Sequence, residues 1–367
     1  MQMRAAILAA AFVVTLGGAA HADIVIGVAG PLSGDFTVLG EEMREGAAQA
    51  IADINARGGV NGEQLVLDPL DDGCEPKRAD AVANQFAGKG AALVVGHLCL
   101  TASLAAAPVY AANRIIQITP ATTYPAYTDQ RAGPGTFRLA GRDDQQGIVA
   151  GTFLARRFGD QRIAIIDDMS GYGKGLADLT RLTLNQAGVK EVMNESYEPG
   201  AEAYDALVAR LKATDIQVLY IGGAYNDAAR IVSAMRAAGM ATIPVGGDAL
   251  MTEKFWEAAG GSADGTLVTF MPDPARDPAN AAVVAALGER GVRADGYVLY
   301  AYAAVQVWAA AANAAASSDF DAVASALAAG AYPTVLGEVT FDAKGDATLP
   351  GFVFYEWHDG TYDAVGS

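Results

Sequence analysis

The stretch IVIGVAGPLSG (residues 24–34) joins a short apolar run, rich in β-branched residues, to a glycine-rich segment. A second stretch of the same kind, IAIIDDMSGYGKG, occupies residues 163–175. In each, a strand-like run leads through a glycine-rich turn into a segment with helical spacing of apolar residues. The repetition predicts two successive α/β halves, of which the first ends near Ala140 and the second starts near Gln161.

Strand-like and helical segments alternate along the whole chain. Apolar, β-branched runs predict strands at Ile24–Ala29, Leu65–Leu67, Ala92–Val95, Ile115–Ile118, Ile163–Ile166, Val218–Ile221 and Thr266–Phe270. Apolar residues at helical spacing predict helices at Met43–Ala56, Arg78–Gly88, Leu104–Asn113, Gln146–Phe158, Leu176–Ala187, Tyr204–Ala213 and Ala228–Ala238. Apolar strands with helical, right-handed crossovers are typical of parallel sheets covered on both faces. The predicted fold class is therefore α/β, with two doubly wound parallel-sheet lobes.

Two such lobes create a cleft, because open α/β sheets bind ligands beyond the carboxyl ends of their strands. The glycine-rich segments do not indicate a nucleotide site. Gly171–Gly175 lacks the spacer and the Ser or Thr of a P-loop, and Gly27–Gly34 lacks the G-x-G-x-x-G spacing. We expect these glycines to serve tight turns where the chain enters the cleft.

The ionisable residues form no catalytic set. Histidine occurs only as His21, His97 and His358, which is too few for a His-rich metal site, and His97 is expected to be a packed, hydrogen-bonded residue. The pairs Asp71–Asp72 and Asp167–Asp168 follow strands, where adjacent residues point to opposite faces. One member of each pair is interpreted as a helix or turn cap. The sequence thus predicts no enzyme, no metal and no cofactor.

Composition excludes further classes of protein. The 367-residue chain is 52% apolar and 18% charged, which excludes disorder and suffices for sizeable cores. Acidic residues outnumber basic ones by 42 to 25, and the formal net charge is −17. A surface this negative repels phosphate backbones and anionic lipids, so neither nucleic acid nor a membrane surface is an expected partner.

The N-terminus has the pattern of a secretory signal peptide over residues 1–22. Arg4 supplies the positive start, Ala5–Leu16 is an apolar run too short to span a bilayer, and cleavage is expected after Ala22. This predicts a periplasmic protein. The uncharged segment Gly296–Ser318 is mostly alanine and carries aromatic residues at helical spacing, so we interpret it as a buried helix rather than a membrane span.

Cysteine use agrees with an oxidising compartment. The chain contains two cysteines, Cys74 and Cys99, an even count that favours a disulfide. A redox pair or a metal site is less well supported, because the sequence has no C-x-x-C motif. A bridge across this loop should stabilise the fold by about 3–4 kcal/mol.

Several motifs together resemble a known family. They are residues 26–34, AAQAIADINARGGVNG (47–62), DDGCEPK (71–77), VVGHLC (94–99), ITPATT (118–123), GRDDQQG (141–147) and FDAKGD (341–346). The set resembles the periplasmic substrate-binding proteins of branched-chain and other neutral amino-acid ABC transporters, which have the type I (Leu/Ile/Val-binding) fold. The resemblance covers residues 24–360 and includes both cysteines.

The resemblance implies two lobes joined by three hinge crossovers, so that each lobe is discontinuous. Lobe 1 would comprise residues 23–141 and 273–338, and lobe 2 would comprise residues 142–272 and 339–367. The last strand pattern, Phe352–Trp357, would belong to lobe 2.

The resemblance also implies a ligand site. The N–H groups of Leu100 and Thr101, with the Thr123 hydroxyl, would bind a carboxylate, because helix N-termini suit anions. The Ala121 carbonyl and the Asp248 carboxylate would face the ammonium group. Ordinary structural roles are the alternatives, such as a turn cap for Thr123 and a surface loop position for Asp248.

Aromatic residues complete the implied site, with differences from the family pattern. Tyr172 matches an aromatic residue that closes over the ligand, although lobe packing would also explain it. Leu39 and Ala224 stand where the family can have aromatic residues, and Tyr225 is adjacent to Ala224.

Two further differences concern the polar groups. Leu100 stands where the family often has Ser, so only its N–H remains unless Thr101 substitutes. Asp248 replaces the longer Glu of Leu/Ile/Val binders, as in receptors of broader specificity.

These observations predict a monomeric, non-enzymatic periplasmic receptor that closes on a neutral amino acid, branched-chain, small or a γ-amino acid. It would deliver the ligand to an inner-membrane ABC permease. The alternatives are a receptor for an aromatic or other small carboxylate and a ligand-sensing regulator on the same fold. An acid facing the ligand's amine favours the amino acid, since Asp248 would have no role against a plain carboxylate.

Overall fold

The computed structural model describes residues 23–366, so the predicted signal peptide, residues 1–22, lies outside the described residues. Two mainly parallel sheets, each covered by helices on both faces, form two lobes. The predicted fold class is confirmed. Within residues 23–366, none of the helices combines the length and the apolar character that crossing a bilayer requires.

The first lobe contains a five-stranded sheet in which every pairing is parallel. Its strands are β1 (Ile24–Gly30), β2 (Leu65–Asp71), β3 (Leu93–Gly96), β4 (Ile116–Thr119) and β5 (Thr136–Arg138). The helices between them are α1 (Thr37–Ala56), α2 (Pro76–Lys89), α3 (Leu100–Ala112) and α4 (Ala126–Asp129). The strand order is β2-β1-β3-β4-β5. Phe86 of α2 and Tyr110 of α3 are buried against one face of this sheet.

The second lobe begins with α5 and repeats the same alternation. Its first strands are β6 (Ile163–Asp167), β7 (Met193–Ser196), β8 (Val218–Gly222), β9 (Ile243–Gly246) and β10 (Leu267–Phe270). Its helices are α5 (Asp143–Phe158), α6 (Gly171–Gln186), α7 (Asp205–Ala213), α8 (Tyr225–Ala237) and α9 (Glu253–Ala259). Alternate residues of each strand face opposite sides, so Ile165 packs with α5 and α6 while Ile166 packs with α7 and α8.

The last part of the chain returns to the first lobe before it completes the second. Its elements are α10 (Ala281–Glu289), α11 (Val298–Ala314), α12 (Phe320–Ala329), β11 (Tyr332–Thr334), β12 (Gly337–Val339), β13 (Val353–His358) and β14 (Thr361–Ala364). Helix α11 packs against α1 at Gly46, where a Cβ atom would lie 1.9 Å from the Val298 carbonyl oxygen. Strands β13 and β14 extend the second sheet as antiparallel strands, in the order β14-β13-β10-β9-β8-β6-β7.

The lobes are therefore joined by three crossovers, which follow β5, β10 and β12. A buried ion pair connects the first and third crossovers. Arg138, fully buried at the end of β5, donates from Nε to Oδ1 of Asp346 at 2.8 Å, and Arg142 donates to the other carboxylate oxygen at 3.2 Å. The lobe boundaries that the resemblance implies (23–141 with 273–338, and 142–272 with 339–367) stay a prediction.

Every predicted strand and helix is present, and the segment Gly296–Ser318 contains α11, whose Trp308 is fully buried. One local prediction is wrong. Gly171–Gly175 is not a turn before a helix but the first turns of α6. The helix starts earlier than its apolar spacing indicates because the Ser170 hydroxyl caps it, accepting a hydrogen bond from the Gly173 N–H at 2.8 Å.

Candidate functional site

A cavity of about 200 Å³ lies between the two lobes, near the carboxyl ends of their parallel strands. Cavities of about 150 Å³ are known to hold benzene, so this one has room for a small organic molecule. The first lobe contributes Phe36, Leu39, Cys74, Leu98, Cys99, Leu100, Thr101, Ala121, Thr123, Tyr124 and Tyr297 to its lining. The second lobe contributes Asp143, Ser170, Gly171, Tyr172, Asp248 and Ala249.

The first turn of α3 forms one wall. Leu100 and Thr101 begin the helix, ahead of its first backbone hydrogen bond from the Ser103 N–H to the Cys99 carbonyl. N–H groups in a first turn have no intrahelical partner and carry the positive end of the helix dipole. The predicted disulfide is confirmed: Cys74 and Cys99 are bonded, with their Cα atoms 5.4 Å apart. Because Cys99 immediately precedes α3, the bridge attaches the start of this helix to the loop after β2.

His97 supports this wall from behind. The imidazole is fully buried, with Nδ1 2.5 Å from Asp72 Oδ2 and Nε2 2.9 Å from the Tyr110 hydroxyl. Its carbonyl oxygen accepts hydrogen bonds from the hydroxyls of Thr119 and Thr122, at 2.7 Å and 2.9 Å. His97 is therefore a packed, hydrogen-bonded residue, as expected. It ties the start of α3 to the loop after β4.

Asp248 faces the cavity from the second lobe, at the start of a 3₁₀ turn after β9, and it is 3% exposed. Its Oδ1 atom accepts hydrogen bonds from the Tyr172 hydroxyl at 2.8 Å and from the Gln146 amide at 2.9 Å. Its Oδ2 atom accepts a hydrogen bond from the hydroxyl of Tyr297, which belongs to α11's N-terminal end and so to the first lobe. Burial raises the pKa of Asp248, and these three donors partly offset the rise.

Gly247 makes this arrangement possible. A Cβ atom at residue 247 would lie 2.6 Å from the Tyr172 hydroxyl oxygen and 3.3 Å from the Gln146 amide nitrogen. A side chain there would displace two of the three groups that hold Asp248. Residue 247 therefore has to be glycine for Tyr172 and Gln146 to keep these positions.

A second carboxylate, Asp143, lies in the same cavity at the start of α5. It is 1% exposed, and neither of its carboxylate oxygens accepts a hydrogen bond of normal geometry from residues 23–366. Burial, together with the nearby charge of Asp248, raises its pKa from the ordinary 3.8 to about 7, although Thr123 and Arg138 lower it. The Thr123 hydroxyl interacts with this carboxylate, which is therefore only partly paired within the described residues.

The structure brings together six of the seven ligand residues that the resemblance implies. Leu100, Thr101, Ala121, Thr123, Tyr172 and Asp248 all line the one cavity. Tyr225, the first residue of α8, does not line this cavity. Their roles toward a ligand stay a prediction.

The sequence reasoning did not find three groups that matter for the geometry: Asp143, Gln146 and Tyr297. Asp143 and Gln146 lie inside the quoted motif GRDDQQG, but their helical spacing of three was the only local signal that they share a face. Tyr297 is distant in sequence, and only the return of the chain to the first lobe places it beside Asp248.

The cavity therefore has two chemically different sides. Free N–H groups and a threonine hydroxyl suit an anion, whereas two buried carboxylates suit a cation. Among residues 23–366, no Lys, Arg or His side chain contributes to its lining. Across residues 23–366 there is also no group of three or more His, Cys, Asp or Glu side chains that could hold a metal ion.

Comparison with known proteins agrees with this arrangement. The Leu/Ile/Val-binding protein homolog 1 of Brucella suis is 41% identical over 362 residues, which are 98% of this chain and 97% of that protein. The branched-chain amino acid transporter substrate-binding protein LivJ of Streptococcus pneumoniae, solved in complex with isoleucine, has a TM-score of 0.85 at 23% identity, with 94% of this chain and 99% of that chain covered. An ABC-transporter solute-binding protein of Rhodopseudomonas palustris, solved in complex with benzoate, has a TM-score of 0.84 at 17% identity, with coverages of 94% and 96%.

The two structures establish the fold, and the relative in Brucella extends the similarity over nearly the whole chain. The sequence model of the family described as periplasmic binding protein matches residues 23–361. Members of this family are substrate-binding proteins of ABC transporters rather than enzymes. The family match extends over both lobes, the three crossovers and the cleft, and this chain therefore belongs to the periplasmic binding protein family.

Proposed function

We propose that this protein is a periplasmic receptor that binds a neutral amino acid between its lobes and delivers it to an ABC permease of the inner membrane. The observation that carries the proposal is the polarity of the cleft. The N-terminus of α3 offers N–H groups to a carboxylate, and Asp248 with Asp143 offers negative charge to an ammonium group. A zwitterion satisfies both sides at once.

The rest of the lining suits a ligand whose side chain is neutral and aliphatic. Phe36, Leu39 and Leu98 form an apolar region of the cavity, and the described part of the chain places no cationic side chain there to pair with a second carboxylate of the ligand. The Brucella relative is named as a Leu/Ile/Val-binding homolog, and the pneumococcal structure holds isoleucine. A branched-chain or small amino acid is therefore the favoured ligand, and a γ-amino acid has the same two charged ends.

Closure of the lobes is part of the proposal. The lobes contact each other across the cleft, for example through the hydrogen bond from Tyr297 to Asp248, and in the proposed hinge motion such contacts would be lost on opening. A ligand that touches both walls favours that arrangement, which is a hinge transition driven by differential contacts. A permease would then recognise the closed monomer, and the N-terminal segment 1–22 would serve as the cleaved signal peptide.

A receptor for an aromatic or other small carboxylate is the second candidate, favoured by the apolar part of the lining and by the benzoate-bound relative of the same fold. The two buried acids of the cleft oppose it, because a plain carboxylate would add negative charge beside Asp248 and bring no ammonium group to offset it. A ligand-sensing regulator on the same fold would use the same site, and dependence of uptake on a permease separates transport from sensing.

A thermal-shift screen tests the proposal. The protein is unfolded and refolded to remove carried ligand, then melted with L-leucine, L-valine, L-alanine, 4-aminobutyrate, benzoate and 4-methylpentanoate. A ligand at 100 times its dissociation constant stabilises the folded state by about 2.7 kcal/mol. We expect stabilisation by at least one amino acid and none by the two plain carboxylates. Stabilisation by benzoate alone would replace the proposal with the second candidate.

A further inference from the structure

A second pair of buried acids lies between the lobes, outside the cavity. Glu42 is in α1 and Asp295 lies shortly before α11, so both belong to the first lobe, and each is 8% exposed. Neither side chain is among the residues that line the cavity. Their burial needs a separate explanation, because acidic side chains are seldom buried so completely unless they are paired.

The second lobe contacts this pair through the segment between β9 and α9. The Thr252 hydroxyl of that segment interacts with the Glu42 carboxyl group. A Cβ atom at Gly296 would lie 2.9 Å from the Glu42 carboxyl carbon and 3.0 Å from the Met251 carbonyl oxygen. The Glu42 carboxyl group and the backbone of the second lobe therefore border the same point. This region of contact is the interlobe junction.

Arg293 is shared between acids of the two lobes at this junction. Its Nη1 atom lies 3.0 Å from Oε1 of Glu253, the first residue of α9, and its Nε atom lies 3.4 Å from Oδ2 of Asp295. Glu42 is placed differently, because its Oε2 atom accepts a hydrogen bond from the Tyr297 N–H at 3.1 Å. Within residues 23–366, no cationic side chain acts on the Glu42 carboxyl group.

Burial and mutual repulsion raise the pKa values of both acids. Burial, with the charge of Asp295, raises the pKa of Glu42 well above its ordinary 4.5. Burial raises the pKa of Asp295 to about 6, although Arg293 lowers it, and Glu253 adds to the rise. Two acids that interact in this way titrate as a pair. The titratable groups that face the pair are Tyr225, Glu253, Asp273, Arg293, Tyr297 and Tyr362.

We infer that Glu42 takes up a proton when the lobes close, so that ligand binding in the cavity is coupled to protonation at the interlobe junction. The inference rests on the closure described under the proposed function. With the lobes apart, Met251 and Thr252 would no longer cover Glu42, and water would solvate its ionised carboxylate. On closing, the proton comes from solvent and binds a carboxylate oxygen of Glu42. Without it, closure would bury an ionised group beside Asp295 while Glu253 approaches the same place.

The direction of the pH dependence follows from this uptake. The closed state binds more protons than the open state, so closure becomes more favourable as the pH falls through the closed-state pKa of Glu42. One such proton changes the affinity by at most about tenfold per pH unit. Asp143 in the cavity has a pKa of about 7 and titrates in the same range. The contribution of Glu42 is therefore measured as the difference between two proteins that differ only at this residue.

Titration calorimetry on the wild-type protein, on Glu42→Gln and on Glu41→Gln tests the inference. The probe is whichever of L-leucine, L-valine, L-alanine and 4-aminobutyrate binds the wild type most tightly. Glu42→Gln imitates the protonated acid and keeps an oxygen that can accept from the Tyr297 N–H. Glu41→Gln is the matched control, because it removes the same charge from the adjacent residue, which is partly exposed and pairs with Arg44 at 2.5 Å.

The expected result is a gain of affinity. Glu42→Gln should bind the probe about tenfold or more tightly than the wild type at pH 8, and within about threefold of it at pH 5. At pH 7, titration in phosphate and in Tris should show that the wild type takes up at least about half a proton more than Glu42→Gln does. Glu41→Gln should match the wild type in both measurements. A variant that merely folds less well would not bind more tightly at pH 8.

The outcomes distinguish this inference from the proposed function. Equal affinity and equal proton uptake in the wild type and Glu42→Gln would overturn the inference and leave the receptor function intact. Weaker binding by Glu42→Gln at every pH would also overturn it, and would assign Glu42 a role in positioning Tyr297. An equal gain in Glu41→Gln would replace it with a general effect of net charge. Failure of all four probes to bind the wild type would overturn this inference together with the proposed function.

Discussion

Replacing Tyr297 by Phe removes one hydroxyl that connects the two lobes. The Tyr297 ring packs edge-to-face on Phe270, with ring centroids 5.5 Å apart, and Phe preserves that contact. Asp248 keeps its hydrogen bonds from Tyr172 and Gln146, so the substitution leaves no buried charge unpaired. The change is therefore confined to the hydrogen bond from the first lobe to the Asp248 carboxylate.

The expected magnitude follows from that bond. A hydrogen bond to a charged group contributes about 1.5–3 kcal/mol. Under the proposed hinge closure, this bond between the lobes forms as the cleft closes, so its loss should appear in the affinity. Tyr297→Phe should bind the amino acid found in the screen about 10- to 150-fold more weakly than the wild type.

Titration calorimetry measures the affinity, and small-angle scattering at saturating ligand shows whether the lobes still close. Tyr300→Phe is the matched control, because Tyr300 is a buried neighbour on α11 that also packs on Phe270 but whose hydroxyl reaches only the Pro272 carbonyl, at 3.4 Å. We expect the control to bind within about threefold of the wild type. An unchanged affinity in Tyr297→Phe, or an equal loss in both variants, would refute the reasoning that this hydroxyl stabilises closure.

Three further outcomes can be checked by equilibrium unfolding in guanidinium chloride. Replacing Cys74 and Cys99 together by Ser should lower the free energy of unfolding by about 2–5 kcal/mol, and a smaller change would show that the bridge adds little to the fold. Asp143→Asn should gain stability over the wild type as the pH rises. In the folded protein the pKa of Asp143 is about 7, whereas the ordinary value is 3.8. The folded state therefore binds this proton more tightly than the unfolded state does, and the wild type loses the corresponding free energy of unfolding between about pH 4 and pH 8. The difference in free energy of unfolding between Asp143→Asn and the wild type should grow to at most about 4 kcal/mol. A difference that does not change with pH would contradict this prediction. Asp346→Ala leaves the buried Arg138 without its carboxylate partner and should cost about 3–5 kcal/mol, whereas a cost below about 1 kcal/mol would mean that the pair is effectively solvated.

Central strands were predictable because both of their faces are buried. Strands β1, β6 and β8 are short runs rich in β-branched, aliphatic or aromatic residues, and their length and flanking turns favour a buried strand over a helix. The edge strand β7 has the sequence MNES, in which alternate residues are exposed, and its apolar signal is too weak to detect. Strand β9 is interrupted in sequence by Pro244, which hides a buried strand from pattern reasoning.

The cleft was partly predictable for a different reason. Family resemblance gave Thr123, Tyr172 and Asp248 as cavity residues, and the structure places all three in the lining. Asp143 and Asp144 are indistinguishable by local sequence, since both are acids in the first turn of a helix and suit its dipole. Successive helix positions point about 100° apart. Only the packing of α5 shows that the first is buried in the cleft and the second is paired with Arg142.

The packing of α11 on α1 also governs when the protein can fold. Tyr302 donates a hydrogen bond to Asp53 at 2.9 Å across 249 positions of sequence, so the ribosome makes α1 long before its partner exists. Until the C-terminal third of the chain has been synthesised, the part of α1 that contacts α11 has nothing to cover it. The first lobe is then incomplete without α11 and the second without β13 and β14, so we expect native structure to be completed late in synthesis. In the export proposed for this chain, such delayed completion would keep the nascent polypeptide unfolded, as translocation requires, until its last segments are available.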